Sequence, residues 1–186
     1  MRKIITLILT ASSILISNSQ EKLPINVEKS TIKWIGELTF HFRGHDGFIQ
    51  FKEGHLVKTD DKITGGEFTI DMNSMTNTDI KQEEGKKNLI DHLKDHDFFD
   101  VKKHPLTKLV ITKVTYSDET HARIEANLTL KGNTKPINFN AEFNYQDKTM
   151  FTRFKIDRRK WNVYYTSKVK DYAISDALGF EVTVKL

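Results

Sequence analysis

The sequence predicts an all-β fold of about eight or nine antiparallel strands, interrupted by one helical segment. Two observations carry this prediction. Apolar and polar residues alternate in separate runs, and turn-forming residues stand between those runs. Alternation with period two gives each strand one apolar and one wet face, as in antiparallel sheets. A third observation places the helical segment, because the alternation stops between about residues 76 and 104.

The apolar residues of each run are predicted to share one face of a strand. In chain order these sets are Ile32, Trp34, Leu38, Phe40 and Phe42; Phe68, Ile70 and Met72; Ile124, Ala126, Leu128 and Leu130; Ile137, Phe139, Ala141 and Phe143; Phe154 and Ile156; and Phe180, Val182, Val184 and Leu186. Turn signals between the runs include RGHDG at 43–47, KEG at 52–54 and KGNTKP at 131–136. In the last of these, we expect Gly132 and Asn133 to take the positive φ that a tight turn requires.

Eight antiparallel strands with one apolar face each can close into a barrel or divide into a sandwich. Alternation alone does not choose between the two architectures. A closed eight-stranded barrel is just wide enough to be filled by side chains or to hold one small ligand. The inward phenylalanines therefore either fill a solid core, as in a purely structural domain, or surround a cavity.

The first nineteen residues have the plan of a secretory signal peptide. Arg2 and Lys3 precede a mostly apolar stretch at 4–16, and small residues stand three and one positions before Gln20. The apolar stretch is too short to cross a bilayer, although a signal anchor is the alternative. We therefore expect a single mature domain at 20–186, which is exported and is periplasmic or secreted.

Charge, cysteine content and motifs exclude several function classes. Subtracting Arg2 and Lys3 from the 29 basic residues leaves an excess of only two over the 25 acidic ones, so the sequence does not predict a nucleic-acid partner. There is no cysteine, so the core must be stable without disulfides. Because G-x-S-x-G, P-loop and G-x-G-x-x-G motifs are absent, the sequence predicts no catalytic residues and no resident cofactor.

The helical segment contains LIDHLKDHDFFDVKKHP at 89–105. A helix over 88–97 would place Leu89, Ile90 and Leu93 on one side and His92 on the opposite, charged side. The narrow apolar side can lie against the barrel. The segment therefore either walls the interior or packs as an ordinary excursion.

Histidines in two places raise the question of metal binding. His92 and His96 stand four residues apart, the spacing at which two imidazoles on one helix bind zinc, and Asp95 or His104 could complete such a site in a metal-dependent hydrolase. Because this face is charged and solvated, we do not predict a metal site there. A second group is predicted to be solvent-exposed polar residues around a tight turn, and it comprises His41, His45, Asp46 and His55.

The stretch IDRRKWNVYY at 156–165 joins three basic residues to aromatic ones. Basic residues at 158–160 beside Trp161 and Tyr164 could meet a lipid head group or make transient contact with an anionic membrane surface. The alternative is a solvated loop beside a core tryptophan.

Four motifs, in this order, resemble the YceI-like family of exported lipid- or polyisoprenoid-binding proteins. They are HLKDHDFFDVKKHP at 92–105, LTLKGNTKPINF at 128–139, IDRRKW at 156–161 and ISDALGFEVTVKL at 174–186. The resemblance covers about residues 25–186 and implies an eight-stranded antiparallel barrel of lipocalin-like shape, with an elongated apolar cavity. It also implies binding or carriage of a long-chain isoprenoid, an isoprenoid quinone or another lipid, without catalysis.

Such a cavity assigns ligand contacts to the inward apolar residues. The residues predicted to contact the tail are Phe40, Phe42, Phe68, Ile70, Phe139, Phe143 and Phe154. Those predicted to wall the side under the helical segment are Leu93, Phe98 and Phe99. Trp161 and Tyr164 are expected nearer one end of the cavity.

Overall fold

The computed structural model describes residues 20–38, 44–164 and 174–186. The predicted signal peptide at 1–19, and with it Phe40, His41 and Phe42, lie outside the described residues. The strands are β1 (Gln20–Pro24), β2 (Thr31–Leu38), β3 (Gly44–Thr59), β4 (Lys62–Asp71), β5 (Leu106–Tyr116), β6 (His121–Leu130), β7 (Asn133–Asn144), β8 (Thr149–Asp157) and β9 (Ile174–Lys185). One α-helix, α1 (Glu83–Lys94), precedes β5, and short 3-10 helices follow β4 and β8 at Met72–Ser74 and Arg158–Trp161.

Eight of these strands close into an antiparallel barrel. Their order around it is β2, β9, β8, β7, β6, β5, β4 and β3, and β3 pairs again with β2. The long strand β3 pairs first with β2 and then with β1, which adds a ninth strand outside the closed ring. The predicted eight-stranded barrel with a helical excursion is therefore confirmed, and the sandwich alternative is wrong.

The strands place one apolar face inside the barrel, as their alternation predicts. Along β6 the buried residues Ala122, Ile124, Ala126 and Leu128 alternate with exposed neighbours. Buried apolar residues of all eight ring strands belong to one continuous core. No helix in the described part of the chain is long and apolar enough to cross a membrane.

The two ends of the barrel differ, and we name them by the strand directions. The upper end is where β2, β4, β6 and β8 end; it carries α1 and both 3-10 helices. The lower end is where those strands begin; the short β3–β4, β5–β6 and β7–β8 connections lie there. All the larger excursions of the described chain therefore gather at the upper end.

Two predicted turns are instead parts of β3. The KEG stretch lies within the strand at a register shift between Phe51 and Glu53, which is a β-bulge. Beyond the bulge, Gly54 pairs with Phe68, and an added Cβ would lie 2.7 Å from the Phe68 ring and 3.0 Å from the backbone oxygen of Glu67, so a side chain fits poorly there. The RGHDG stretch also enters β3, which begins at Gly44, so His45 lies on a strand and not in a loop.

The β6–β7 hairpin turn is where it was predicted, but its strained residues differ. Positive φ occurs at Lys131 (48°) and Gly132 (71°), whereas Asn133 already begins β7. Two successive residues with positive φ give the tight two-residue turn that follows the twist of paired strands. Gly132 also leaves room for His104, whose ring would lie 2.8 Å from an added Cβ.

Helix α1 begins five residues before the predicted helix and ends three residues earlier. Gln82 caps its start in an extended conformation, and Glu83 and Glu84 in the first turn interact favourably with the helix dipole. The helix ends at Lys94. The next residue, Asp95, is its C-cap; it has an extended ψ of 167°, and its carbonyl accepts the backbone N–H groups of Phe98 and Asp100 in the turn that follows. His96 therefore lies beyond the helix, and the predicted i, i+4 histidine pair does not share one helical face.

Strands β7 and β8 pair over only part of their length. Their ladder comprises four residue pairs, from Ala141 opposite Thr152 to the β7–β8 turn. Continuing the register would set Phe139 opposite Phe154, and their rings stack there with centroids 4.7 Å apart, although the ladder has ended. Pro136, which has no backbone N–H to donate, lies in the part of β7 without a partner in β8. We call this unpaired part of the wall the β7–β8 seam.

Candidate ligand-binding cavity

The barrel encloses an elongated cavity with a volume of about 170 Å³. This is roughly ten times the ~10–15 Å³ that one ordered water molecule requires. Met150 and Ile156 both line the cavity and lie six residues apart on β8, so it follows this strand for about 20 Å at ~3.3 Å per residue. The space is therefore long and narrow, and it suits a chain better than a compact molecule.

Most of the residues predicted to contact a ligand line this cavity. The ones that do are Phe68, Ile70, Leu93, Phe98, Phe99, Phe139 and Phe154. The helical excursion contributes Leu89, Leu93, Phe98 and Phe99 to the cavity wall. Whether these side chains touch a ligand stays a prediction.

Phe143, Trp161 and Tyr164 are not among the lining residues. Phe143 is buried near the lower end, opposite the cavity-lining Met150, and its ring lies tilted against Tyr116 and stacked with Tyr145. Trp161 is buried at the upper end and donates its indole N–H to the carbonyl of Leu128. Tyr164 is 62% exposed. Alternation gives the face on which a residue lies, but not whether its side chain borders the free volume.

Several lining residues were missing from the predicted set. The aromatic ones are Trp34, Phe51 and Phe180, and the flexible ones are Met72 and Met75, which follow β4 at the upper end. Trp34, Phe180 and Met72 belong to the alternating apolar runs, so the sequence already indicated that they face the interior. Phe51 was obscured because the bulge in β3 and the exposed Phe48 blur the alternation there.

A cluster of three residues with polar groups lies at the lower end of the barrel. The hydroxyl groups of Tyr116 and Tyr145 are 2.9 Å apart, and the ammonium of Lys62 lies 5.0 Å and 5.5 Å from the centres of the two rings. Burial, together with the hydrogen bond to Tyr145, raises the pKa of Tyr116 above its ordinary value. Tyr116 therefore stays a neutral phenol that both donates and accepts hydrogen bonds at the closed end.

The upper end of the cavity has a polar border. Glu37 and His45 line it there, beside Gly36 and Gly44. The Glu37 carboxylate pairs with Lys155 at 3.1 Å, and Nδ1 of His45 lies 2.8 Å from the Asp79 carboxylate. The cavity is therefore apolar along its length and carries polar groups at one end.

The basic stretch at 158–160 does not form an open cationic patch. Arg158 is only 3% exposed and donates hydrogen bonds to the carbonyls of Val163 and Ser175 and to the Asp176 carboxylate. Arg159 pairs with Asp157 at 2.8 Å and with Asp176 at 3.1 Å. Burial lowers the pKa of Arg158, and the charge of Asp176 opposes that shift. Both guanidinium groups are committed to fixing the chain after β8, and only Lys160 of the three is left for a surface role.

The histidines of the helical segment do not converge on a metal site. His92 packs edge-on against Phe98, with ring centroids 5.8 Å apart, and is not on a solvated face as predicted. Among the described residues, the group with donor atoms close enough for a metal is Asp95, His96 and Asp97, which are consecutive and all exposed. This surface cluster lies outside the cavity, so it supplies no basis for the hydrolase alternative.

Fold and cavity together define a class of protein: a closed antiparallel barrel of lipocalin-like shape with an apolar interior. The model of one family, the YceI-like domain, matches residues 23–186, nearly the whole described chain. The chain therefore belongs to the YceI-like family, as the four sequence motifs suggested.

Similar proteins come from several bacteria. A UPF0312 protein of Pseudomonas putida strain W619 is 30% identical over 159 residues, covering 76% of this chain and 81% of the relative. A UPF0312 protein of Pectobacterium carotovorum is 30% identical over 158 residues, covering 77% and 78%.

Two solved structures share the fold. Burkholderia cenocepacia BcnA aligns with a TM-score of 0.70 at 18% identity, over 86% of this chain and 98% of that one. The Campylobacter jejuni YceI protein aligns with a TM-score of 0.52 at 18% identity, over 98% and 94%.

Proposed function

We propose that the protein binds a long apolar lipid, a polyisoprenoid or an isoprenoid quinone, inside the barrel and carries or stores it in the cell envelope. The observation that carries the proposal is the elongated apolar cavity of about 170 Å³. Its polar border lies at one end, which matches a molecule with a long apolar tail and a single polar head. Membership of the YceI-like family supports the same ligand class.

Burial of the tail supplies enough free energy for tight binding. Each methylene removed from water contributes about 0.8 kcal/mol, so a chain of about twenty carbons contributes roughly 16 kcal/mol before costs. That gross value is close to the ceiling of about 18–21 kcal/mol for non-covalent affinity, and the entropy lost on association reduces it substantially. The protein therefore needs few polar contacts, and the proposal assigns it no catalytic step.

A tryptophan placed inside the cavity tests this proposal. Leu128 lines the cavity, whereas its neighbour Asn127 is exposed on the outer face of β6. Leu128→Trp is expected to weaken binding of a polyprenol at least about tenfold, because the added ring occupies space that the tail needs. Asn127→Trp is the matched control, with the same new side chain on the other face, and is expected to bind like the wild type.

Binding is measured from the amount of radiolabelled polyprenol that stays with the protein on gel filtration. Fluorescence is not used, because each variant adds a tryptophan to the native Trp34 and Trp161. Thermal unfolding checks that each variant is folded. Equal affinity in folded Leu128→Trp and Asn127→Trp would place the ligand elsewhere and contradict the proposal.

Export is part of the proposed function, because isoprenoid lipids of this kind belong to the envelope. We propose that residues 1–19 are removed as a signal peptide and that the mature protein is periplasmic or secreted. N-terminal sequencing of protein from fractionated cells is expected to begin at Gln20 in the envelope or extracellular fraction. Protein that keeps Met1 in the cytoplasmic fraction would contradict this part.

A further inference from the structure

His45 stands at the upper end of the cavity with its side chain on the inward face of β3. Gly47, Ile49 and Phe51 lie on the same face of the strand at every second position, and Ile49 and Phe51 line the cavity. Across the sheet, His45 pairs with Gly36 of β2. Gly36 has no side chain, so space is left above the inward face at this level. The His45 side chain is 46% exposed, so a molecule in the cavity mouth can reach the ring.

Asp79 determines which nitrogen of His45 is available. Its carboxylate lies 2.8 Å from Nδ1 of His45 and also accepts the backbone N–H of Asp46 and the amide of Asn77. Burial would raise the pKa of Asp79, but these hydrogen bonds outweigh it and lower the pKa below its ordinary value. An ionised carboxylate only accepts hydrogen bonds, so Nδ1 must carry the proton that it donates.

In the neutral ring, a proton on Nδ1 leaves Nε2 as an acceptor. The other polar side chains lining the described cavity already hold partners. Glu37 pairs with Lys155, the hydroxyl of Thr107 donates to Met72, and the hydroxyl of Thr152 donates to the carbonyl of Asn140. Because the contact with Asp79 uses only Nδ1, Nε2 of His45 is left as a neutral acceptor that the polar head of a ligand can reach.

We infer that His45, positioned by Asp79, selects lipids whose head group is a hydroxyl, which donates a hydrogen bond to Nε2. The inference rests on the proposed function, since it concerns the head of the same lipid. It favours a polyprenol or a quinol over the quinone or ether with the same tail, because carbonyl and ether oxygens have no proton to donate. Asp79 is a positioning residue, which acts on the ligand only through the ring of His45.

The test compares geranylgeraniol with its methyl ether, which has the same chain and no donor. The ratio of their dissociation constants is measured in the wild type and in His45→Phe. One neutral hydrogen bond changes a dissociation constant by about five- to tenfold. The ratio of the ether's to the alcohol's dissociation constant should therefore be larger in the wild type than in His45→Phe by about this factor. Using the difference between proteins removes the unequal hydration of the two ligands.

Asp79→Asn separates positioning from contact. An asparagine amide can donate to Nδ1 and move the ring proton to Nε2, which would then act as a donor to either ligand. The preference for the alcohol is expected to fall to the level of His45→Phe, while Asp46→Asn, the matched control, keeps it. Asp46 pairs with Lys33 and Thr78, away from the ring.

Nitrogen-15 NMR of the His45 ring gives an independent readout that needs no ligand. It is expected to show the Nδ1–H tautomer in the wild type and the Nε2–H tautomer in Asp79→Asn. An Nε2–H tautomer in the wild type, or an unchanged alcohol-to-ether ratio in His45→Phe, would overturn the inference and leave lipid binding intact. Failure of both ligands to bind the wild type would instead overturn the proposed function.

Discussion

At the residue scale, Arg158 shows how a charged motif can have a structural role. From the sequence, residues 158–160 could meet a lipid head group or be solvated. The structure buries Arg158 beneath the upper end and pairs Arg159 on the surface. A run of basic residues does not reveal which side chain is buried, because this depends on the carbonyl groups of Val163 and Ser175, which only the folded chain brings together.

Replacing Arg158 should therefore cost far more stability than replacing its neighbour. Arg158→Leu leaves buried carbonyls and the Asp176 carboxylate without their donor, so we expect a loss of about 3 kcal/mol in the free energy of unfolding. Arg159→Leu removes a solvent-exposed pair and should cost less than about 1 kcal/mol. Urea unfolding measures both changes. Equal losses would mean that Arg158 does not anchor this end.

The exposed pair of Asp95 and His96 provides a pH prediction. The hydrogen bond that His96 donates to the Asp95 carboxylate, together with the charge of Asp95, raises the pKa of His96 above its ordinary value, and the same pair lowers the pKa of Asp95. Protonated His96 is favoured in the fold, so this stabilisation is present below the ordinary histidine pKa and is lost as pH rises through the folded-state pKa.

NMR titration of the His96 ring checks that direction. The midpoint should lie above the ordinary histidine value of about 6.5 and should fall in Asp95→Asn. Asp91→Asn is the control, because it removes the same charge from α1, where Asp91 pairs with Lys87. If both variants move the midpoint equally, general surface charge and not the hydrogen bond raises the pKa.

At the element scale, the strands were easier to predict than the helix. Alternation follows directly from the geometry of a strand with one buried face, so the β6 residues were assigned correctly. The first turn of α1 is polar, with the sequence EEGKKN at 83–88, and carries no apolar periodicity. Its start depends on the extended Gln82 and on contacts formed later, which a local pattern does not contain.

The β7–β8 seam was not predicted, although Pro136 was a signal for it. A strand position without an N–H belongs at an unpaired edge, and the seam begins just beyond the short β7–β8 ladder. We expect the backbone amides of Asn138 and Arg153, next to the seam, to exchange with deuterium at least about tenfold faster than those of Glu142 and Phe151 within the ladder.

Hydrogen exchange followed by NMR resolves these four amides individually. The paired set and the seam set come from the same two strands, so solvent exposure of the side chains is matched. Uniform slow exchange along β7 and β8 would mean that the ladder continues past Ala141 in solution.

At the scale of the whole molecule, alternation predicted antiparallel strands, whereas the closed barrel and its cavity were implied only by the family resemblance. Inward rings such as Phe68 and Phe139 fit both a solid core and a cavity, because the free volume depends on the depth and rotamer of every inward side chain together. Gly36, Gly44 and Gly66 also lie on inward or closely packed positions where a side chain would have taken space. The contribution of these glycines to the cavity can be recognised only once the pairing of the strands is known.

Native mass spectrometry of the protein purified from its own cells tests the central claim most directly, that the interior holds a lipid chain. We expect the intact protein to carry an added mass that is released by organic solvent and identified as a lipid with a long apolar tail. A spectrum with only the mass of the polypeptide, from material never exposed to detergent, would contradict the account.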